Sequence, residues 1–150
     1  DDDWDKRRDA AVAIGKIGAA GAPAAAALVA ALADPDVDVQ TAAVDALVAI
    51  GAPAVPHLAA ALSHESNDIA EDAAEALCRL RETARPAVPK LLEALASGRS
   101  YLAVLAARAL GRAAETGDAA VLAALVKTAA ATDDDTLRLE ATNAIEKLKP

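Results

Sequence analysis

Apolar residues return along this chain at helical spacing and almost never alternate with polar ones. Between Val37 and Ile50, the residues Val39, Ala43, Ala46, Leu47 and Ile50 are spaced to share one helical face. Asp34, Asp36 and Asp38 stand at the start of that helix. There a carboxylate accepts from free N–H groups and meets the positive end of the helix dipole. Gly51 predicts the stop, because glycine takes the left-handed conformation without a Cβ penalty. Pro53 suits the first turn of a second helix, where its missing N–H is not needed, and Pro56 is tolerated in the same turn. Val55, Leu58 and Leu62 then form a second apolar face. Each helix is too short to persist in water alone. The stretch from Asp34 to Leu62 therefore reads as a pair of helices that need each other and need neighbours.

The same pattern recurs through the chain. Ala13-Ile14, Ala46-Leu47, Ala76-Leu77, Ala109-Leu110 and Ala144-Ile145 occupy equivalent places. Leu28/Leu32, Leu58/Leu62, Leu91/Leu95 and Leu125/Ala129 repeat the four-residue step in the second helices. Length variation falls in the turns, at Gly18–Gly21 and between Arg81 and Pro86, where a stacked repeat tolerates it. The pattern predicts nine helices, at 4–18, 23–33, 37–50, 53–62, 67–80, 86–96, 100–114, 118–131 and 134–148. These group into repeats 1–33, 34–63, 64–97 and 98–132, followed by a terminal helix at 133–150. Because each pair contacts mainly its neighbours, the expected fold is all-α: a right-handed α-α superhelix of about nine helices in four and a half repeats, forming one domain over 1–150.

Composition refines this picture. Alanine fills 45 of 150 positions, there is no Phe or Met, and Trp4 and Tyr101 are the aromatic residues. An Ala/Leu core buries little area per residue but lets helices approach closely. The formal charge of −8 is uneven: no Lys or Arg lies between Lys16 and Arg79, a span that holds Asp34, Asp36, Asp38, Asp45, Glu65, Asp68, Glu71, Asp72 and Glu75. A nucleic-acid binder needs a basic track for phosphate, which this block opposes, whereas it favours a basic partner. The apolar runs break well short of twenty residues, so no membrane insertion is expected. The lone Cys78 lies on an apolar face and reads as a small buried hydrophobe. The sequence names no compartment; the cytoplasm is slightly favoured, and export follows if the Asp1-Asp2-Asp3 start is a processed end.

The stretch Asp34-Pro-Asp-Val-Asp-Val-Gln-Thr-Ala-Ala-Val-Asp-Ala-Leu-Val-Ala-Ile-Gly-Ala-Pro-Ala-Val-Pro-His-Leu closely resembles a HEAT-like repeat of the phycobilisome-lyase type. The likeness extends over essentially the whole chain. Repeats of this kind serve as scaffolds, adaptors and chromophore lyases, so the resemblance implies a fold more firmly than a function. It also implies an arginine ladder, in which an Arg after the repeat's Val pairs with an Asp of a neighbouring repeat. Arg7 and Arg138 keep that Arg, but Gln40, Ala70 and Ala103 replace it. The ladder is therefore expected to be broken in the middle repeats, leaving stacking to Ala/Leu packing. Arg81 and Ala114 stand where Gly18 and Gly51 stand in earlier repeats, so the third and fourth turns need another helix stop.

No residue set predicts catalysis, a cofactor or a metal. His57 and His64 are seven apart and lack the spacing that places two zinc ligands on one helix face; both read as exposed. Asp133-Asp134-Asp135 lacks the alternation of a calcium loop and reads as a helix cap. In HEAT-like solenoids the second helices line the concave face, and the polar residues there are His57, Lys90, Glu93 and Lys127. These four are the candidate binding residues. The function expected is a non-enzymatic protein-interaction or scaffold module acting on another protein or peptide, as a monomer or weak end-to-end dimer. The alternatives are a bilin lyase-like subunit, implied by the resemblance alone, and a designed repeat without a native partner.

Overall fold

The computed structural model describes residues 3–150; Asp1 and Asp2, which open the first predicted repeat, lie outside the described residues. Among those residues there are nine α-helices and no strand: α1 (Trp4–Lys16), α2 (Ala25–Ala31), α3 (Val37–Ile50), α4 (Val55–Ala61), α5 (Asn67–Leu80), α6 (Val88–Leu95), α7 (Ser100–Ala113), α8 (Ala119–Ala131) and α9 (Asp135–Leu148). All nine coincide with the predicted helices. The differences lie at the starts of the second helices. Tight 3₁₀ turns occupy Gly18–Ala24, Ala52–Ala54 and Arg81–Ala87, each holding a proline whose fixed φ suits a tight turn and whose missing N–H is not needed there. The chain swings through 117° between α3 and the helical segment at Ala52–Ala61.

Packing follows the apolar pattern. Val39, Ala43, Ala46, Leu47 and Ile50 are all buried, as are Val55, Leu58 and Leu62. The molecule is an α-solenoid with a continuous core of Ala, Leu, Val and Ile, and Cys78 is buried within it. One expectation is revised. The helices of each predicted pair diverge: first helices pack on the next first helix, most extensively for α1–α3, α5–α7 and α7–α9, and each second helix packs on the first helix that follows it. The stretch from Asp34 to Leu62 is thus a sequence unit, while the packing unit is offset from it by one helix.

The first helices approach closely because small residues face each other. A Cβ added at Gly111 would sit 2.7 Å from the Ala144 Cβ and 2.8 Å from its Cα. At the equivalent Gly15, the nearest atom is the Ala46 Cα at 3.1 Å. Bulkier residues there would push the rows apart and open voids in the core.

The helix stops differ from the simple expectation. Gly51 has positive φ, as predicted, but with φ 78° and ψ −136° it lies outside the left-handed helical region. Arg81 adopts nearly the same conformation, with φ 53° and ψ −129°, although it carries a Cβ. Such a backbone costs a non-glycine residue about 1–3 kcal/mol. Ala114 avoids the problem by turning extended, with φ −72° and ψ 158°. Of the candidate caps, Asp36 and Asp134 accept from backbone N–H groups of α3 and α9, and Asp118, which the sequence reading did not single out, does the same for α8.

The expected loss of inter-repeat pairing also requires correction. Arg7 does meet Asp34 through two bonds of 2.7 and 2.9 Å. Gln40, in the next repeat, donates instead to the Asp34 backbone carbonyl at 2.6 Å. Ala70 and Ala103 are buried, and their methyl side chains carry no polar group to bridge with. Other residues take over the bridging: Arg79–Asp45 at 2.8 Å, Arg85–Glu115 at 2.8 Å and Arg108–Glu140 at 2.9 Å. Arg138 donates to Asp135 in its own terminal segment and to the carbonyl of Thr132, the last residue of the preceding repeat. The middle repeats are therefore tied by ion pairs at positions other than the family's, though exposed pairs of this kind each contribute only about 0.2–1 kcal/mol.

Three substitutions test this geometry. Arg81→Gly should relieve the positive-φ cost and stabilise the fold by about 1 kcal/mol, a rise in Tm of roughly 2–4 °C in thermal melts. Gly111→Ala should destabilise by about 1–2 kcal/mol in denaturant titration, because the Ala144 backbone cannot yield and the clash outweighs the gain in helix propensity. Gly15→Ala, with more room and a terminal helix able to shift, should stay within about 1 kcal/mol of the parent.

Candidate functional site

The second helices form a row of α2, α4, α6 and α8. Neighbours in this row touch far less than neighbours in the first-helix row. His57 lies on α4, Lys90 and Glu93 on α6, and Lys127 on α8, and all four are exposed. Of these only Lys90 and Glu93 are brought together, in an ion pair of 2.6 Å one helical turn apart. His57 makes no contact with the other three. His64 is likewise exposed, and its Nδ1 accepts from the Ser66 N–H at 3.0 Å ahead of α5.

Lys127 belongs to a different feature, one that the sequence did not reveal. It stands at the edge of an open groove of about 460 Å³ between α6 and α8. Leu92, Leu95, Ala96, Ala124 and Ala131 supply its apolar surface, and Thr128 and Thr132 add hydroxyl groups. The cause is local. α8 runs for 13 residues where α4 and α6 run for 7 and 8, and no 3₁₀ turn precedes it. The turn from Ala114 to Asp118 contains no proline, and Gly117 donates to the Leu148 carbonyl at 2.7 Å. α8 therefore enters the row without the proline-bearing turn of α2, α4 and α6, and the groove lies along its side facing α6. The missing proline was the available signal in the sequence.

A second depression, of about 250 Å³, lies on the first-helix side, between α3, α5 and α7. Asp68, Glu71, Asp72 and Glu75 line it with Gln40, Tyr101 and Leu105. Tyr101 is 60% exposed. Burial, followed by the charges of Asp68, Glu71 and Glu75, raises the Asp72 carboxyl above the usual carboxylate range. Glu71 is raised chiefly by burial and then by Asp68, against an opposing pull from Arg99. Among the described residues no three His, Cys, Asp or Glu side chains are grouped so as to hold a metal ion. No single helix among them is long and apolar enough to cross a membrane. Burial also raises the Cys78 thiol, which keeps it protonated and unreactive.

The raised carboxylates have a stability consequence. A carboxyl whose pKa is higher in the folded chain favours the fold while protonated and loses that contribution as pH rises through its unfolded and then its folded pKa. The trough therefore opposes folding at neutral pH. Asp72→Asn should raise Tm by about 1–3 °C at pH 7, and the gain should shrink towards zero as the pH falls below about 4, measured by thermal melts across pH.

These features can be set beside known proteins. The family model described as HEAT repeats matches residues 1–78. No curated protein matches the chain. Two crystal structures of engineered proteins have a similar fold. One aligns over 94% of this chain and 72% of its own, with a TM-score of 0.57. The other aligns over 99% and 77%, with a TM-score of 0.60, and both are 24% identical in sequence. The structural matches show the fold alone, without the lyase subtype. With a helical repeat over the described length and a family match over its first half, the chain belongs to the HEAT repeat family.

Proposed function

We propose that this chain is a non-enzymatic protein-interaction module that holds a peptide or protein segment along its second-helix row. The observation that carries this is the groove between α6 and α8, where the half-buried Leu92 and Ala124 and the exposed Ala96 and Ala131 lie beside the Lys127 ammonium and two threonine hydroxyls. Apolar surface of this kind rimmed by a few polar groups suits an extended or helical segment with one apolar anchor. His57, Lys90 and Glu93 extend the same row and would meet flanking residues of the partner. The HEAT repeat fold, whose members generally act as interaction surfaces, supports the same conclusion.

A second surface is favoured by its charge. The trough of Asp68, Glu71, Asp72 and Glu75 would attract a basic segment, whose positive charge would relieve the repulsion among these carboxylates. The bilin-handling alternative draws less support, since a tetrapyrrole is commonly flanked by aromatic rings. Trp4 is stacked under Arg8 at 5.1 Å, and Tyr101 lies in the acidic trough, so neither lines the groove.

The test is selection of peptides from a displayed library on the immobilised chain, followed by binding of the selected peptides to a Lys127→Glu, Ala124→Asp variant and to an Asp72→Lys, Glu75→Lys variant. A peptide that loses at least tenfold in affinity with the first pair and little with the second establishes the groove. The reverse result moves the site to the trough. Peptides bound equally by both variants, or no selected peptide at all, would remove the interaction proposal for these surfaces.

A further inference from the structure

Most of the surface that α8 turns outward is apolar. Its 13 residues, Ala119–Ala131, include one charged side chain, Lys127, and one other polar residue, Thr128. Val121 and Leu125 are its buried residues, and Val126 is 53% exposed. A helix that is apolar around its circumference suits an interior, yet α8 lies on the outside of the row.

The groove marks the side of α8 that is shaped for contact. Ala124, Lys127, Thr128 and Ala131 line it at steps of three, one and three residues, so they form one straight stripe about 10 Å long. Leu92 and Ala96 face this stripe from the end of α6. The alanines on both walls let another helix come close, since the distance between packed helices is set by the side chains at the contact. Both walls are helical, with their interior N–H and C=O groups bonded within each helix. An extended segment would find no sheet edge to join there, whereas a helical segment satisfies its own backbone.

Charge then selects the occupant. No carboxylate lines the groove, and its one charged group is the Lys127 ammonium. The trough and the depressions beside Asp34, Asp45 and Glu140 each carry at least one carboxylate. Among the described residues Lys127 has no ion-pair partner, whereas Lys90, Arg79 and Arg108 each meet a carboxylate. On a chain of formal charge −8, the groove offers an acidic ligand an uncompensated cation beside apolar surface.

We propose that the α6–α8 groove receives an acidic amphipathic helix of a partner protein, with apolar side chains one and two turns apart on the α8 stripe and a glutamate or aspartate on Lys127. The inference rests on the groove reading above and adds the partner's conformation and charge. That charge is opposite to the one that the overall acidity of the chain favours.

Three alanine-based helical peptides test it. They share three leucines at i, i+4 and i+7 and differ only in whether the residues flanking that stripe are Glu, Gln or Lys. Each is titrated into the isotope-labelled full chain, and amide shifts are followed by NMR. The salt concentration is about 0.15 M, where screening over about 8 Å confines the comparison to charges near the groove. The Glu peptide should move the amides of α6 and α8 and bind about three- to fivefold more tightly than the Gln peptide, as a half-exposed ion pair allows. The Lys peptide should be the weakest there. Lys127→Glu should invert this order and Lys127→Arg should keep it, with circular dichroism checking that both variants are folded. A proline at the centre of the Glu peptide should abolish the shifts.

Equal affinities at the groove, or a preference of the parent for the Lys peptide, would overturn the acidic partner while leaving the groove as a binding site. A proline-containing peptide that binds as tightly as the unbroken one would overturn the helical occupant. If no peptide moves the α6 and α8 amides, including the case in which the Lys peptide shifts only the trough, the inference and the groove reading fail together.

Discussion

The close approach of successive first helices is the constraint on which the rest depends. It needs a nearly bare backbone where Gly111 meets Ala144, and a small residue where Gly15 meets Ala46. Alanine satisfies this while keeping the highest helix propensity, so the same residue choice forms the helices and sets their spacing. The consequence is an asymmetric solenoid. First helices are drawn tightly together, and second helices spread, because they pack on the following first helix more than on one another. The groove beside α8 lies in that looser row.

Polar groups then act at the margins. No polar or charged side chain is fully buried among the described residues, so specificity of stacking cannot come from buried hydrogen bonds. It comes from shape at the Gly/Ala contacts and from ion pairs that bridge neighbouring repeats at half-exposed positions. Arg7 on Asp34 is the most enclosed of these. The guanidinium, helped by the Asp36 N–H, holds the Asp34 carboxyl below the usual carboxylate range. Its contribution is therefore present at neutral pH and lost as the solution becomes acidic enough to protonate that carboxylate. The trough carboxylates act in the opposite direction, and the two ends of the pH scale stress different repeats.

Much of the architecture was legible because helix periodicity, caps and stops are local. Val39 through Ile50 named a buried face, the aspartate clusters at 34–38 and 133–135 marked helix starts, and the repeat pointed to the solenoid. What was not legible depends on relations between distant residues. The family's arginine position pointed to a broken ladder, but Arg79, Arg85 and Arg108 bridge repeats from places that no local pattern marks. The groove arose from the altered entry to α8, visible in sequence only as a proline that is not there. Of the four candidate site residues, periodicity placed all on the second-helix row. It could not say that Lys90 and Glu93 would occupy each other or that only Lys127 would border a groove.

The aromatic residues have a practical consequence. Trp4 is 42% exposed on the first helix under Arg8, and Tyr101 is on the surface of α7. The interior is thus optically silent in the near ultraviolet. Tryptophan emission from this protein reports the fraying of its first turn and the approach of solutes to that end, while the body of the solenoid can melt or hold without changing the signal.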